Sequence, residues 1–152
     1  MDGAHIMTMQ WLVLMIVLIA SSIFMENQHQ DQRTSDYATL DSLGRGFLVY
    51  RSAATEYAQA NPGFSGVPSD SALNLPGWFV KPVGVGSYIS SGTAYTYFDG
   101  VAPSGLPSVL VDLTKTTTVG LKRSGMLISQ ITGATGIAIP SPVPEGAVVA
   151  VN

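Results

Sequence analysis

The sequence predicts an α+β protein in which an N-terminal transmembrane helix precedes an amphipathic helix packed on an antiparallel β-sheet. Changes of pattern along the chain predict this organisation. Residues 6–25 contain no charged side chain, and residues 34–60 then carry apolar side chains at three- and four-residue spacing, which is the period of a helix. After residue 77 the chain breaks into short runs rich in β-branched and aromatic residues, separated by Gly and Pro, which is typical of strands.

The membrane segment, residues 6–25, is predicted from its length. Twenty helical residues at about 1.5 Å each span roughly 30 Å, the thickness of the hydrocarbon core of a bilayer. Residues 1–5 form an N-terminal flank, for which a tag remnant remains an open interpretation, and the polar residues 26–34 form a linker. The side chains expected to lie in the lipid are Trp11, Leu12, Leu14, Ile16, Leu18 and Phe24.

Two other interpretations of residues 6–25 remain open, a cleaved signal peptide and a buried helix of a soluble domain. Small residues follow Ala20, as at a signal-peptidase site, but no Lys or Arg precedes the apolar run, and such a basic region is part of a signal peptide. The orientation is weakly specified. Arg33 and Arg45 follow the segment, so the positive-inside rule favours a cytoplasmic C-terminus.

The amphipathic helix is predicted over residues 35–60. Ser35 is a favourable N-cap, and Pro62 ends the helix because the residue before a proline is pushed out of helical geometry. Gly44 and Gly46 fall inside the helix, where each glycine costs about 1 kcal/mol. We interpret the two glycines as points of close packing, with a hinge or a groove for a partner helix as the alternative.

The β-rich part is predicted over residues 77–152, and together with the helix it forms one α+β domain, residues 35–152. The helix is expected to cover one face of the sheet, because a sheet with one apolar face must bury it. The candidate strands are residues 78–80, 88–89, 93–98, 108–113, 116–121, 126–131, 136–139 and 147–151.

Neither catalysis nor metal binding is indicated by the residues. The histidines, His5 and His29, lie outside the predicted domain, the chain has no cysteine, and its acidic residues are scattered singly. Hydrolytic triads need a histidine base. Asp112 stands alone in an apolar predicted strand, and we interpret it as an outward-facing surface residue. We therefore expect no catalytic, cofactor-binding or metal site and no enzyme activity, and the net charge of −3 predicts no nucleic-acid partner.

A protein-binding surface is the more favoured kind of site. The charged side chains between residues 57 and 111 are Asp70, Lys81 and Asp99 alone, and charged residues are depleted at the cores of protein interfaces. The candidate interface residues are Tyr88, Tyr95 and Tyr97. For the aromatic rings themselves, core packing and cross-strand pairing are the favoured roles, and an aromatic binding face is the alternative that makes them interface candidates.

The order of elements resembles the general plan of type IV pilin-like proteins, with a membrane helix, a polar exit, an amphipathic helix and an antiparallel sheet. The chain departs from true pilins because Glu26 follows the apolar run instead of lying inside it. It is more similar to the PilM family of conjugative type IVB (thin) pilus systems. The N-terminal anchor, the stretch LPGWF at residues 75–79 and the ending at residues 136–148 carry this resemblance.

The resemblance implies a single-pass protein of the bacterial inner membrane whose C-terminal domain lies in the periplasm and helps to assemble or anchor a pilus. A periplasmic C-terminal domain conflicts with the positive-inside rule, because the basic residues near the membrane segment follow it. The implied partners are other pilus-assembly proteins and the inner membrane, with self-association also open, and no cofactor is implied. The alternative is a membrane-anchored or secreted β-rich domain that binds peptide or glycan and is unrelated to pili.

Overall fold

The computed structural model describes the backbone of residues 3–152, and the side chains of residue 11, residues 13–18 and residues 36–152. The chain divides into two units, Met1–Thr39 and Leu40–Asn152. The described part of the first unit belongs to helix α1, Gly3–Ala60, which continues into the second. Among the described residues, no helix combines the length and the hydropathy that a membrane crossing needs.

Helix α1 is longer than the predicted amphipathic helix. Residues 26–34, predicted as a linker, are helical, and Ser35 does not begin a helix. The polar residues of this segment include neither Gly nor Pro, so a helical backbone meets no strong local obstacle there. Of the predicted anchor residues, Trp11, Leu14, Ile16 and Leu18 are exposed on α1, whereas the side chains of Leu12 and Phe24 lie outside the described residues.

The second unit confirms the α+β class, with α1 packed on an antiparallel sheet. The strands pair in the order β1-β2-β6-β3-β4-β5, and every neighbouring pair is antiparallel. Besides α1 and a short 3-10 turn at Asp70–Ala72, its elements are β1 (Val85–Ser90), β2 (Thr93–Phe98), α2 (Leu106–Thr114), β3 (Val119–Arg123), β4 (Met126–Ser129), β5 (Gly133–Ala138) and β6 (Val148–Val151).

The sheet buries apolar side chains on both faces, as β6 shows. Its alternate residues point to opposite sides of the sheet. Val148 and Ala150 join the main core under the helices, together with Phe47, Tyr50, Val85, Phe98, Leu106, Leu110 and Val119. Val149 and Val151 join a second cluster on the other face, with Leu127, Ile139, Val143 and Ala147.

The glycines of α1 are points of close packing, as predicted. A Cβ atom at Gly44 would lie 3.0 Å from Cγ1 of Val109 on α2. A Cβ atom at Gly46 would lie 2.8 Å from Cγ of Pro82, in the loop before β1. Glycine lowers the stability of a helix, but at these two positions the missing side chain lets Val109 and Pro82 pack closely against α1.

Two predicted strands are wrong. Residues 108–113 belong to helix α2, whose buried side chains, Leu106, Val109 and Leu110, recur at helical spacing. Pro107 lies in the first turn of α2, where its missing N–H is not needed. Residues 78–80 form no strand, and Trp78 and Val80 are exposed. In both segments apolar and β-branched composition predicted a strand, but tertiary packing decided the backbone conformation.

Candidate functional site

The three candidate interface tyrosines lie together on the sheet face opposite α1. Tyr88 pairs with Tyr95 across β1 and β2, and on β6 Tyr95 faces Val151 while Tyr97 faces Val149. All three side chains are half-buried against the second apolar cluster. We call this surface, made by Tyr88, Tyr95 and Tyr97, the tyrosine face. Core packing accounts for the buried part of each ring, and the remaining part is accessible to a partner.

The tyrosine face is neutral. The ring of Tyr97 lies over β1, where a Cβ atom at Gly86 would be 3.2 Å from its Cζ. Burial raises the pKa of Tyr97, and the nearby carboxylate of Asp99 raises it further, so its phenol remains protonated at pH 7. Hydroxyl groups on aromatic rings suit a partner that offers both apolar and hydrogen-bonding groups.

The two edges of the sheet differ in how far they are covered. At the β1 edge, the Gly66 N–H donates to the Ile89 carbonyl at 2.9 Å, and the Ile89 N–H donates to the Gly66 carbonyl at 2.8 Å. At the other edge, β5 pairs with β4 and has no charged residue. Exposed edges without charges are favourable sites for the addition of another strand. The β5 edge is therefore the better candidate for strand addition.

A polar cluster connects α1 to the segments before β1. The Tyr50 hydroxyl donates to Oδ1 of Asp70 at 2.8 Å, and Nζ of Lys81 donates to the same oxygen at 2.8 Å. Lys81 also lies 4.7 Å from the centre of the Tyr50 ring. The hydrogen bond from Lys81 lowers the pKa of Asp70, and burial followed by the Asp70 hydrogen bond raises the pKa of Tyr50. Each polar group in this cluster already has partners within the chain, so we assign the cluster a structural role.

We expect Asp70 to make stability depend on pH in the acid range. Its folded-state pKa lies below its ordinary value of 3.8, so the stabilisation is present above that value and is lost as the pH falls through the folded-state pKa. Asp70→Asn should therefore lower the free energy of unfolding at neutral pH. It should also make that free energy decrease less steeply as the pH falls into the acid range. Urea unfolding at a series of pH values measures both effects. Asp112→Asn is the matched control, and an unchanged acid slope in Asp70→Asn would contradict the assignment.

Asp112 is a surface residue, as interpreted, but on a helix instead of a strand. It lies on α2, and its Oδ1 is 3.4 Å from Nζ of Lys115, with both side chains largely exposed. Such exposed pairs contribute little to stability. Among the residues that the structure describes, no group of His, Asp and Glu side chains is placed to hold a metal ion.

Two basic residues in structural positions were not anticipated from the sequence. Lys122 is almost fully buried on β3, and its Nζ donates to the carbonyls of Pro140 and Val143 at 3.0 and 2.7 Å, which holds the loop between β5 and β6. Arg51 on α1 donates from Nη2 to the carbonyl of Val151 at 2.5 Å. For Arg51 the sequence did carry a signal, because this cation stands alone among apolar and small residues, whereas Lys122 is followed by Arg123 and its burial has no such signal.

Comparison with known proteins identifies a family and two solved structures to which this chain is similar. The model of the PilM family matches residues 14–151. The crystal structure of a pilM protein from Pseudomonas aeruginosa 2192 is 51% identical in sequence, with 73% of this chain and 92% of that chain covered and a TM-score of 0.49. A PilM structure from Escherichia coli B7A is 18% identical, with 76% and 93% covered and a TM-score of 0.57, and it shows a shared fold. No curated protein matches the chain.

Proposed function

The chain belongs to the PilM family, and from this membership we propose that it is an inner-membrane-anchored component of a type IVB pilus assembly apparatus. In this proposal it acts at the base of the pilus through protein–protein contacts. The family match over residues 14–151 is the observation that carries the proposal. It also confirms the resemblance that residues 75–79 and 136–148 predicted.

The first unit supports the anchoring part of the proposal. All the described side chains between residues 11 and 18 are apolar and more than half exposed, and Trp11 is exposed by 68%. Exposed apolar area costs about 25 cal/mol per Å² in water, and lipid would remove this cost. The uncharged run of residues 6–25 has the length of a bilayer core. We propose that these residues cross the inner membrane once and that the second unit lies in the periplasm.

The second unit supports an action through contacts. The tyrosine face presents half-buried aromatic rings without a formal charge, and the β5 edge presents backbone groups that no charged side chain protects. Aromatic residues are enriched at protein interfaces, and sheet edges add strands from partners. These two surfaces are the proposed contact sites for other pilus-assembly proteins.

The anchor and its orientation are tested with reporter fusions at residue 152. We expect a reporter that works only in the periplasm to be active, a cytoplasmic reporter to be inactive, and the protein to remain in the membrane fraction with its N-terminal segment uncleaved. Leu14→Arg combined with Ile16→Arg should release the protein from the membrane, because each Arg costs about 2.5–3.5 kcal/mol at the centre of a membrane helix.

The matched control carries Leu14→Ala and Ile16→Ala, which shorten the same side chains without adding charge, and it should remain in the membrane. An active cytoplasmic reporter would contradict the orientation. A mature protein that begins after residue 20 would contradict the anchor and favour a signal peptide.

A further inference from the structure

A cleft of about 440 Å³ lies beside Arg51 in the second unit. One wall is a stripe of α1, formed by residues at helical spacing, and the opposite wall is formed by the last residue of α2 and the segment that follows it. Asn152, directly after β6, completes the cleft. Its lining residues are Leu48, Arg51, Ser52, Thr55, Thr114, Thr116 and Asn152. Volumes of this order hold small ligands or a protruding side chain of another protein.

No Asp or Glu carboxylate oxygen lies within 4.0 Å of the Arg51 guanidinium in the part of the chain that the structure describes, and the same is true of the exposed Arg123. Lys81, Lys115 and Lys122 each have a carboxylate oxygen within 4.0 Å, as does Arg45. Within the described residues, the acceptor of the Arg51 guanidinium is the carbonyl of Val151, and its Nε is buried there without a hydrogen-bond partner. Burial lowers the pKa of Arg51, which reflects the cost of keeping a cation away from water.

Ser52, Thr55 and Asn152 can donate hydrogen bonds into the cleft, whereas the hydroxyls of Thr114 and Thr116 already donate to the Leu110 carbonyl and to Oγ1 of Thr114. The side-chain oxygen of Asn152 accepts a hydrogen bond from the Ala94 N–H at 2.9 Å, and this leaves the amide NH₂ of Asn152 as the group still to be paired. The hydroxyls of Ser52 and Thr55 make no hydrogen bond to any side chain or loop among the described residues. No acidic side chain lines the cleft.

We propose that this cleft binds a carboxylate group, with Arg51 as its charged partner and Ser52, Thr55 and Asn152 as additional donors. A guanidinium presents its N–H groups in a planar fork that matches a carboxylate. A phosphate group is less well matched, because the cleft offers one cation and no helix N-terminus among its lining residues.

Two kinds of ligand carry a carboxylate with this chemistry: a partner protein with an acidic side chain, and a free organic acid. The first kind rests on the proposed function, since it requires an assembly partner, and the second does not. The two are distinguished by probes that carry the same group in different settings.

The test measures binding of three probes to the full chain in detergent: succinate, a capped peptide with one Glu between glycines, and inorganic phosphate. Isothermal titration gives the affinities, with the Gln version of the peptide as the matched control. We expect the Glu peptide or succinate to bind and the Gln peptide to bind at least about tenfold more weakly, because a charged hydrogen-bonded pair is lost. Preference for succinate indicates a free acid, and preference for the Glu peptide indicates a protein side chain.

Two substitutions at Thr55 test the cleft without removing the contact between Arg51 and Val151. Thr55→Glu places a carboxylate four residues after Arg51 on the same helix face, where it can occupy the cleft itself. It should abolish probe binding and raise the thermal midpoint above that of Thr55→Gln, which has nearly the same size without the charge. Arg51→Gln should also abolish binding.

The proposal is overturned if no carboxylate probe binds the unmodified chain, if phosphate binds more tightly than both carboxylates, or if Thr55→Glu and Thr55→Gln behave alike. None of these results bears on the assembly role, which is read from pilus production. Conversely, carboxylate binding that depends on Arg51 would stand even if cells without the protein made normal pili.

Discussion

Replacing Phe47 with alanine should lower the free energy of unfolding by about 3–5 kcal/mol. Phe47 is fully buried on α1, in the core that joins the helices to the sheet. Its ring is surrounded by side chains from α2 and from the strands, so truncation leaves a cavity that a close-packed core fills poorly. Urea unfolding of residues 35–152, which include the whole second unit, measures the effect.

Trp78→Ala is the control for this substitution. It removes a larger aromatic ring, but the side chain is 74% exposed in the loop before β1. We expect it to change the free energy of unfolding by less than about 1 kcal/mol. Equal losses in the two variants would mean that α1 does not cover the sheet as described.

Gly120→Ala should disrupt the pairing of β3 with β4. A Cβ atom at Gly120 would lie closer to the Ile128 carbonyl than any real contact allows, and 3.0 Å from Cα of Ser129. These atoms belong to the backbone of the neighbouring strand, so no side-chain rotation relieves the clash. We expect the free energy of unfolding to fall by about 3 kcal/mol or more, at the upper end of the range for overpacked sites. Urea unfolding measures this change.

Gly77→Ala is the matched control, because a Cβ atom there would meet nothing within 4 Å. It should be neutral or slightly stabilising, since alanine restricts the unfolded chain. Retention of full stability by Gly120→Ala would contradict the register in which Gly120 faces Ser129.

Sequence periodicity predicted the elements whose local preference agrees with their packing. The C-terminal end of α1 is marked by Pro62, and β2 occupies residues 93–98 as expected. Helix α2 was missed because its residues include β-branched side chains in a short apolar run, for which helix and strand are hard to distinguish. The strand order, with β6 between β2 and β3, depends on long-range pairing that no local pattern encodes.

The candidate surfaces were predictable to different extents. The tyrosines alternate with buried residues along β1 and β2, so their common face follows from strand periodicity. The cleft at Arg51 could not be predicted, because it joins residues from α1, from the end of α2 and the segment after it, and from the position that follows β6. The covered β1 edge likewise depends on the loop that contains Gly66.

The central claim, that the protein works in pilus assembly by contacts through its second unit, is tested by pilus production. Cells that lack the gene are complemented with the unmodified protein, or with a variant carrying Tyr88→Lys and Tyr95→Lys on the tyrosine face. The apolar stems of lysine can cover the same apolar surface while the ammonium groups remain in water, so residues 35–152 should still unfold cooperatively. The control carries Ser71→Lys and Ser104→Lys, two charges at exposed positions elsewhere.

Counting pili by electron microscopy gives the result. We predict that the unmodified protein and the serine control restore pili, whereas the tyrosine variant restores few or none although its domain is folded. Normal pilus numbers in cells without the gene would contradict the role in assembly, and normal numbers with the tyrosine variant would contradict the tyrosine face as its contact surface.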